Sequence, residues 1–245
     1  NDPGALAGLF ESNDDIAAII MEPVLGNVGP VLPAKGYLEE VRSLTKKHGV
    51  VLIFDEVITG YRLGPGGAQG HYGVKPDLFT SAKIIGGGLP LGIFGGRRDI
   101  MEMISPLGPV YQAGTFSGNP LSAAAGLETV SVMSEDDNYG RLWKASERFV
   151  ASLADSLEDS GAKGCVVSLG PMYQVFFGVD EVRNNKDAMG ADRETFAKFM
   201  KAMHSRGIYV PPSQFETNFI SIAHGEEDLE EAAEAYSDCI SEAVR

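Results

Sequence analysis

A chain of 245 residues with 44% apolar and 22% charged side chains has the make-up of a soluble globular protein, long enough for one large domain or two small ones. Its formal charge of −14 comes without the clustered Lys and Arg that phosphate backbones require, which argues against a nucleic-acid partner and for an acidic, solvated surface. Cys165 and Cys239 form no C-x-x-C pair and the four histidines show no ligand spacing. Neither a disulfide framework nor a metal site is therefore expected, and a reducing, cytoplasmic location is the default.

No apolar run reaches the roughly 18 residues of a membrane span, and no signal peptide is visible. The chain opens at Asn1, without a Met, directly in folded-looking sequence. That beginning reads as a processed, trimmed or partial polypeptide.

Residues 16–21 make a short continuous apolar run, the pattern of a strand buried on both faces. Past a Gly/Pro-rich loop, Leu38, Val41 and Leu44 recur at helical spacing over 36–48, and Gly49 stands where a helix ends. Residues 50–54 form a second buried strand, so the order is strand, helix, strand and the sheet is expected to be parallel. Further strands fit 78–82 and 91–95, separated by the Gly86-Gly87-Gly88 turn. Ser117-Gly118-Asn119-Pro120 resembles a helix start, followed by an Ala-rich stretch to about Met133.

From about Tyr139 the texture changes. A long amphipathic helix carries Leu142, Phe149, Leu153 and Leu157 on one stripe and leads to strand candidates at 165–169 and 173–177. A helix over 192–205 ends at Gly207, short strands fit 208–210 and 218–223, and a final acidic helix turns Leu229, Ala233, Tyr236 and Ile240 inward. The expectation is an α/β domain over residues 1–135 with a mostly parallel sheet, and a smaller α+β domain over 136–245.

Two positions carry the chemistry. Asp55 ends the run Val51-Leu52-Ile53-Phe54, at the C-terminal edge where open α/β sheets bind ligands, although alone it fits a turn-capping carboxylate equally well. Lys83 sits between Ala82 and Ile84-Ile85-Gly86, directly after a strand. An amine held out of water there would lose its proton readily, as Schiff-base chemistry requires; a lysine whose stem packs while its amine reaches solvent is the alternative.

Together these residues resemble the class III, or ω-, aminotransferases, pyridoxal-phosphate enzymes of fold type I. The resemblance implies that Lys83 carries the cofactor, that Asp55 binds its pyridinium nitrogen, and that Val57 packs on one face of its ring. Ordinary core packing also accounts for Val57. In Gln112-Ala113-Gly114-Thr115-Phe116-Ser117-Gly118-Asn119-Pro120, small residues and hydroxyls before a helix N-terminus can present backbone amides to an anion. The resemblance implies that Thr115 reaches the cofactor phosphate of a neighbouring subunit in a homodimer; without it, the stretch reads as a helix cap.

The similarity extends to Glu22-Pro23-Val24-Leu25-Gly26-Asn27-Val28-Gly29, to residues 54–62 and 66–69, to 83–102, to 111–120, and to Pro212-Ser213-Gln214-Phe215-Glu216. It is closest to the branch of the family that shifts an amino group within one substrate, turning (S)-4-amino-5-oxopentanoate into the tetrapyrrole precursor 5-aminolevulinate. The pyridoxamine phosphate form of the cofactor takes part in that cycle. This branch implies that Asn27 bonds the phenolic side of the cofactor, Glu22 supports the site, and Glu216 stands at the substrate entrance. Each has a plain alternative, as turn former, strand-end residue and solvated loop acid. Family members also carry a large amino-terminal portion with a cofactor-stacking aromatic residue and most of the phosphate loop, and nothing here corresponds to it. Alone, the chain is expected to bind cofactor weakly. A class III enzyme acting between two substrates, or an inactive fragment, are the competing readings.

Overall fold

A computed structural model describes residues 1–135 and 137–245. They form two compact units, one of Asn1–Pro23 with Pro33–Asp136, the other of Val24–Leu32 with Asp137–Arg245. The segment Val24–Leu32 thus belongs to the second unit although its chain neighbours belong to the first, an excursion that a single division near residue 135 does not contain. Its cause is packing. Val31 is buried among Phe176, Val182, Ala188 and Ala191, and Leu25 and Val31 exchange backbone hydrogen bonds of 3.1 and 2.9 Å.

The first unit runs α1 (Pro3–Ser12), β1 (Ala18–Met21), α2 (Tyr37–His48), β2 (Val51–Glu56), α3 (Gly67–Tyr72), β3 (Leu78–Ser81), a 3-10 turn (Lys83–Gly86), β4 (Ile93–Gly96), α4 (Arg98–Met101) and α5 (Pro120–Met133). Strands lie in the order β1-β2-β3-β4, the first three parallel and β4 antiparallel to β3. The β1–α2–β2 crossover is the strand-helix-strand unit expected from the apolar pattern. It holds because α2 sets Leu38 and Val41 against Leu52 and Phe54, all buried, each contributing roughly 1.5–3 kcal/mol.

Burial is one-sided, however. β2 alternates strictly, with Leu52, Phe54 and Glu56 buried and Val51, Ile53 and Asp55 only half-buried. Ile20 of β1 is 63% exposed and Phe94 of β4 is 47% exposed. The two-sided burial expected from continuous apolar runs is corrected accordingly: run composition records hydrophobicity but not whether a second layer covers it.

Asp77, just before β3, ties this unit together. Its carboxylate accepts from Arg42 on α2 at 2.6 and 3.1 Å, from the Leu52 amide on β2 at 2.9 Å, and from Arg97 at 3.1 Å. Burial pushes its pKa up, but these charge-assisted bonds outweigh burial and lower it to about 2.

The second unit comprises α6 (Asn138–Asp159), β5 (Gly164–Leu169), β6 (Met172–Phe177), α7 (Asn185–Met189), α8 (Arg193–Ser205), β7 (Asn218–Phe219) and α9 (Glu226–Ala243), with an antiparallel sheet β5-β6-β7. The predicted stripe of Leu142, Phe149, Leu153 and Leu157 is buried against Tyr173 and Phe177 of β6, Phe199 of α8, and Tyr236 and Ile240 of α9. The strand expected at 208–210 does not form, because the Val210 carbonyl pairs with the His204 ring at 2.9 Å instead of a ladder. The one expected at 218–223 shortens to two residues. Among the described residues no helix is long and apolar enough to cross a membrane.

Candidate active site

Three parallel strands end side by side in the first unit. Met21 pairs with Phe54, and Asp55 with Thr80, so Glu22, Asp55 and Thr80 stand level at the C-terminal edge of the sheet, on strands about 4.8 Å apart. The geometry of Asp55 is fixed from two directions. Its Oδ1 accepts the Val57 amide at 3.0 Å and the Thr80 hydroxyl at 3.1 Å. Among the described residues no donor reaches Oδ2. Glu22 is half-buried just past β1, and Val57 is half-buried just past β2.

Lys83 lies two residues beyond Ser81, the last residue of β3, and so at the same sheet edge as Asp55. Its backbone is left-handed, with φ of 52°, a conformation that costs a non-glycine residue on the order of 1 kcal/mol or more and clusters at functional sites. The turn that starts at Lys83 is braced by α5: a Cβ at Gly126 would meet the Ile85 carbonyl, and one at Gly87 would meet Thr129 and the Ala125 carbonyl. Only glycine permits that approach.

The side chain of Lys83 is exposed. The expectation that this amine is held out of water is therefore corrected for this chain: the side chain is open to solvent, and no group among the described residues pairs with the amine. What the chain fixes is the strained backbone and the sheet-edge position.

Glu56, next to Asp55, points to the other face and is fully buried. Its carboxylate takes the Thr59 hydroxyl at 3.0 Å, the Ala68 and Gln69 amides at 2.5 and 3.1 Å, and Gln69 Nε2 at 3.1 Å. Sequence reasoning assigned it nothing. A cleft of about 480 Å³ lies on this same side, lined by Glu56, Tyr61, Phe79 and Ser81, and thus on the face opposite Asp55.

Thr115 is exposed, at the start of the turn that precedes α5. The helix start itself offers no anion site. Pro120 has no N–H, the Leu121 and Ser122 amides are capped by Asn119 Oδ1 at 3.1 and 3.2 Å, and the Ala123 amide bonds the Asn119 carbonyl. Asn119 thus caps the first amides of α5 itself, while the phosphate reading concerns the residues that precede it. In that preceding turn the Ser117 and Asn119 amides bond the Gly114 and Phe116 carbonyls at 3.0 Å, and the Thr115 hydroxyl and the Thr115, Phe116 and Gly118 amides are donors left among the described residues.

Asn27 and Glu216 belong to the second unit, where their loops are joined. The buried Thr217 hydroxyl donates to the Gly26 carbonyl at 2.7 Å, linking the residue after Glu216 to the residue before Asn27. Beneath them, buried Gln174 donates to the Glu216 carbonyl and accepts from Asn218 at 3.1 Å. The side chains of Asn27 and Glu216 are exposed. Thr217, Gln174 and Thr80 were not singled out from sequence, since their partners lie on distant segments.

The sequence profile described as aminotransferase class-III matches residues 5–239. The chain belongs to the class III aminotransferase family. It is 52% identical over 237 residues to a glutamate-1-semialdehyde 2,1-aminomutase of Methanosarcina acetivorans, covering 96% of this chain and 56% of that protein. Against the protein of the same name from Archaeoglobus fulgidus it is 51% identical over 240 residues, covering 98% and 57%. Among solved structures it is similar to a Pseudomonas aeruginosa PAO1 glutamate-1-semialdehyde-aminomutase in complex with PMP, with a TM-score of 0.87, 28% identity, and coverage of 99% of this chain and 55% of the other. An omega-transaminase from Sphaerobacter thermophilus gives 0.89 and 28%, covering 100% and 56%. The chain thus spans a little over half the length of these relatives. Its fold is that of a partial fold-type I pyridoxal-phosphate aminotransferase.

The residues present fit two ends of such a cofactor. Asp55 Oδ2 is a carboxylate oxygen with no donor of its own, suited to a protonated ring nitrogen, and the amine of Lys83 is uncommitted at the same edge.

Proposed function

We propose that this chain supplies the Lys83 and Asp55 half of a glutamate-1-semialdehyde 2,1-aminomutase, converting (S)-4-amino-5-oxopentanoate to 5-aminolevulinate for tetrapyrrole synthesis. The observation that carries the reading is the 52% identity to the Methanosarcina acetivorans aminomutase along 96% of the chain. Placement of Asp55 and Lys83 at one sheet edge supports it. Pyridoxal phosphate, or its pyridoxamine form, supplies an electron sink when bound. Asp55 Oδ2 holds the proton on the ring nitrogen, which keeps that sink open. Lys83 Nζ delivers a proton to substrate C5, the former aldehyde carbon, and removes one from C4, which becomes the ketone.

Val57 packs against the ring in this reading, Asn27 bonds its phenolic side with Glu22 in support, and Glu216 holds the second amine of the diamino intermediate. Thr115 reaches the phosphate of the adjoining subunit in a homodimer. A cytoplasmic location belongs to the same proposal, supported by two cysteines that are both free. The test is Lys83→Ala in the holoenzyme: the borohydride-reducible covalent link between protein and pyridoxal phosphate, with its visible absorbance, and isomerase activity should both vanish. Retention of both removes Lys83 from the mechanism. Turnover that depends on an external amino donor would instead favour an aminotransferase acting between two substrates.

A further inference from the structure

Thr80 sits in mid-strand, where a β-branched residue ordinarily serves packing. Its hydroxyl nonetheless donates to Asp55 Oδ1 at 3.1 Å across the β2–β3 ladder, in the register where the two residues are direct partners. The Val57 amide donates to the same oxygen at 3.0 Å. A carboxylate has two oxygens with about four acceptor directions. Here both donors converge on Oδ1, and among the described residues Oδ2 has none.

We infer that Thr80 is a positioning residue, whose hydroxyl locks the Asp55 carboxylate so that Oδ2 is the oxygen presented to the cofactor's ring nitrogen. The inference rests on the role proposed above for Asp55. A carboxylate held by the Val57 amide alone can turn about its last side-chain bond and lower the fraction of time Oδ2 faces the ring. The side-chain bond from Thr80 closes that freedom, because it approaches from the neighbouring strand while the Val57 amide approaches from the chain's own turn. The two directions together define the carboxylate plane.

The test uses Thr80→Val, which keeps the branched shape and removes the donor, beside Thr80→Ser, which keeps the donor. Loss of one hydrogen bond to an ionised group predicts that T80V binds pyridoxamine phosphate about 10-fold more weakly. The absorption band of the bound cofactor should become pH-dependent where that of the wild type is flat. In steady state kcat should fall while KM for the amino-oxo acid stays close to wild type, and T80S should restore all three readouts. T80V with wild-type affinity and a flat pH profile overturns the inference. So does failure of both T80V and Thr80→Ala to fold while T80S folds, since the hydroxyl would then serve the sheet alone. Asp55→Asn measured in parallel separates the levels. If D55N is silent, the ring-nitrogen role itself falls. If D55N is impaired and T80V is not, only the role of Thr80 does.

Discussion

Asp55 and Glu56 are consecutive on β2 and face opposite sides of one sheet, each with its carboxylate bound by groups from a different segment. Asp55 meets Thr80 of β3, whereas Glu56 gathers Thr59 from the loop that follows and Ala68 and Gln69 from the first turn of α3. One carboxylate is half-buried and keeps an oxygen free. The other is 1% exposed and accepts four hydrogen bonds. The acidic pair therefore divides into a group available for chemistry and a group that fixes the loop behind it.

Glu56→Ala should accordingly be a stability variant. Two backbone amides and two side-chain donors lose their acceptor in a buried setting, and unsatisfied buried polar groups cost about 1–3 kcal/mol each. A destabilisation of about 3 kcal/mol in urea unfolding is expected, with Glu56→Gln milder because it retains one acceptor oxygen. Loss of under about 0.5 kcal/mol in E56A would show that the loop does not depend on this clamp.

The Asp77 cluster makes the first unit sensitive to acid. The native pKa of about 2 lies below the unfolded value near 3.9, so the stabilisation is complete above about pH 4 and is lost as pH falls toward 2. Asp77→Asn should remove on the order of 2 kcal/mol at neutral pH, since nearly two pKa units at 1.36 kcal/mol each are involved. The difference between wild type and variant should shrink steadily from pH 4 to pH 2. A difference that stays constant over that window would mean that the Arg42 and Arg97 contacts do not favour the ionised carboxylate.

The β1–α2–β2 crossover, the stripe on α6 and the Asp55 and Lys83 positions were legible because each depends on local pattern: helical spacing, short apolar runs, and one polar residue at a strand end. What was not legible depends on partners distant in sequence. Thr80 reads as a strand residue until the register sets it opposite Asp55. The Val24–Leu32 segment reads as a loop of the first unit until Val31 is seen among Phe176 and Val182. The exposure of Lys83 escaped for a related reason, since an apolar flank on the chain says nothing about which way a left-handed turn projects the side chain. The strand at 208–210 failed because one histidine ring competes for the carbonyl a ladder needs.

Gly29 tests that excursion. Its φ is 75°, and a Cβ there would strike the Phe176 ring, which is fully buried and cannot yield. Gly29→Ala combines left-handed strain with overpacking and should cost about 2–4 kcal/mol. Hydrogen exchange should report the loss in residues 24–32 and in β6 first. Protection unchanged in both would mean that the segment is not held by this contact.

Thr217→Val tests the substrate-side role proposed for Glu216. The hydroxyl is buried and its 2.7 Å bond to the Gly26 carbonyl links the loops of Asn27 and Glu216. Valine fills the same volume but leaves that carbonyl without this donor, at a cost of about 1–2 kcal/mol. Because the exposed side chains of Asn27 and Glu216 depend on their loops for position, the variant should raise KM for the amino-oxo acid by about 5- to 10-fold, the equivalent of about 1–1.4 kcal/mol. Affinity for pyridoxamine phosphate should fall as well, through the contact proposed for Asn27, but by less than KM rises, since neither Asp55 nor Lys83 belongs to this pair of loops. Enzyme kinetics beside cofactor titration separates the two. A loss confined to cofactor affinity, with KM unmoved, would place Glu216 outside the substrate path and leave Thr217 with a structural duty only.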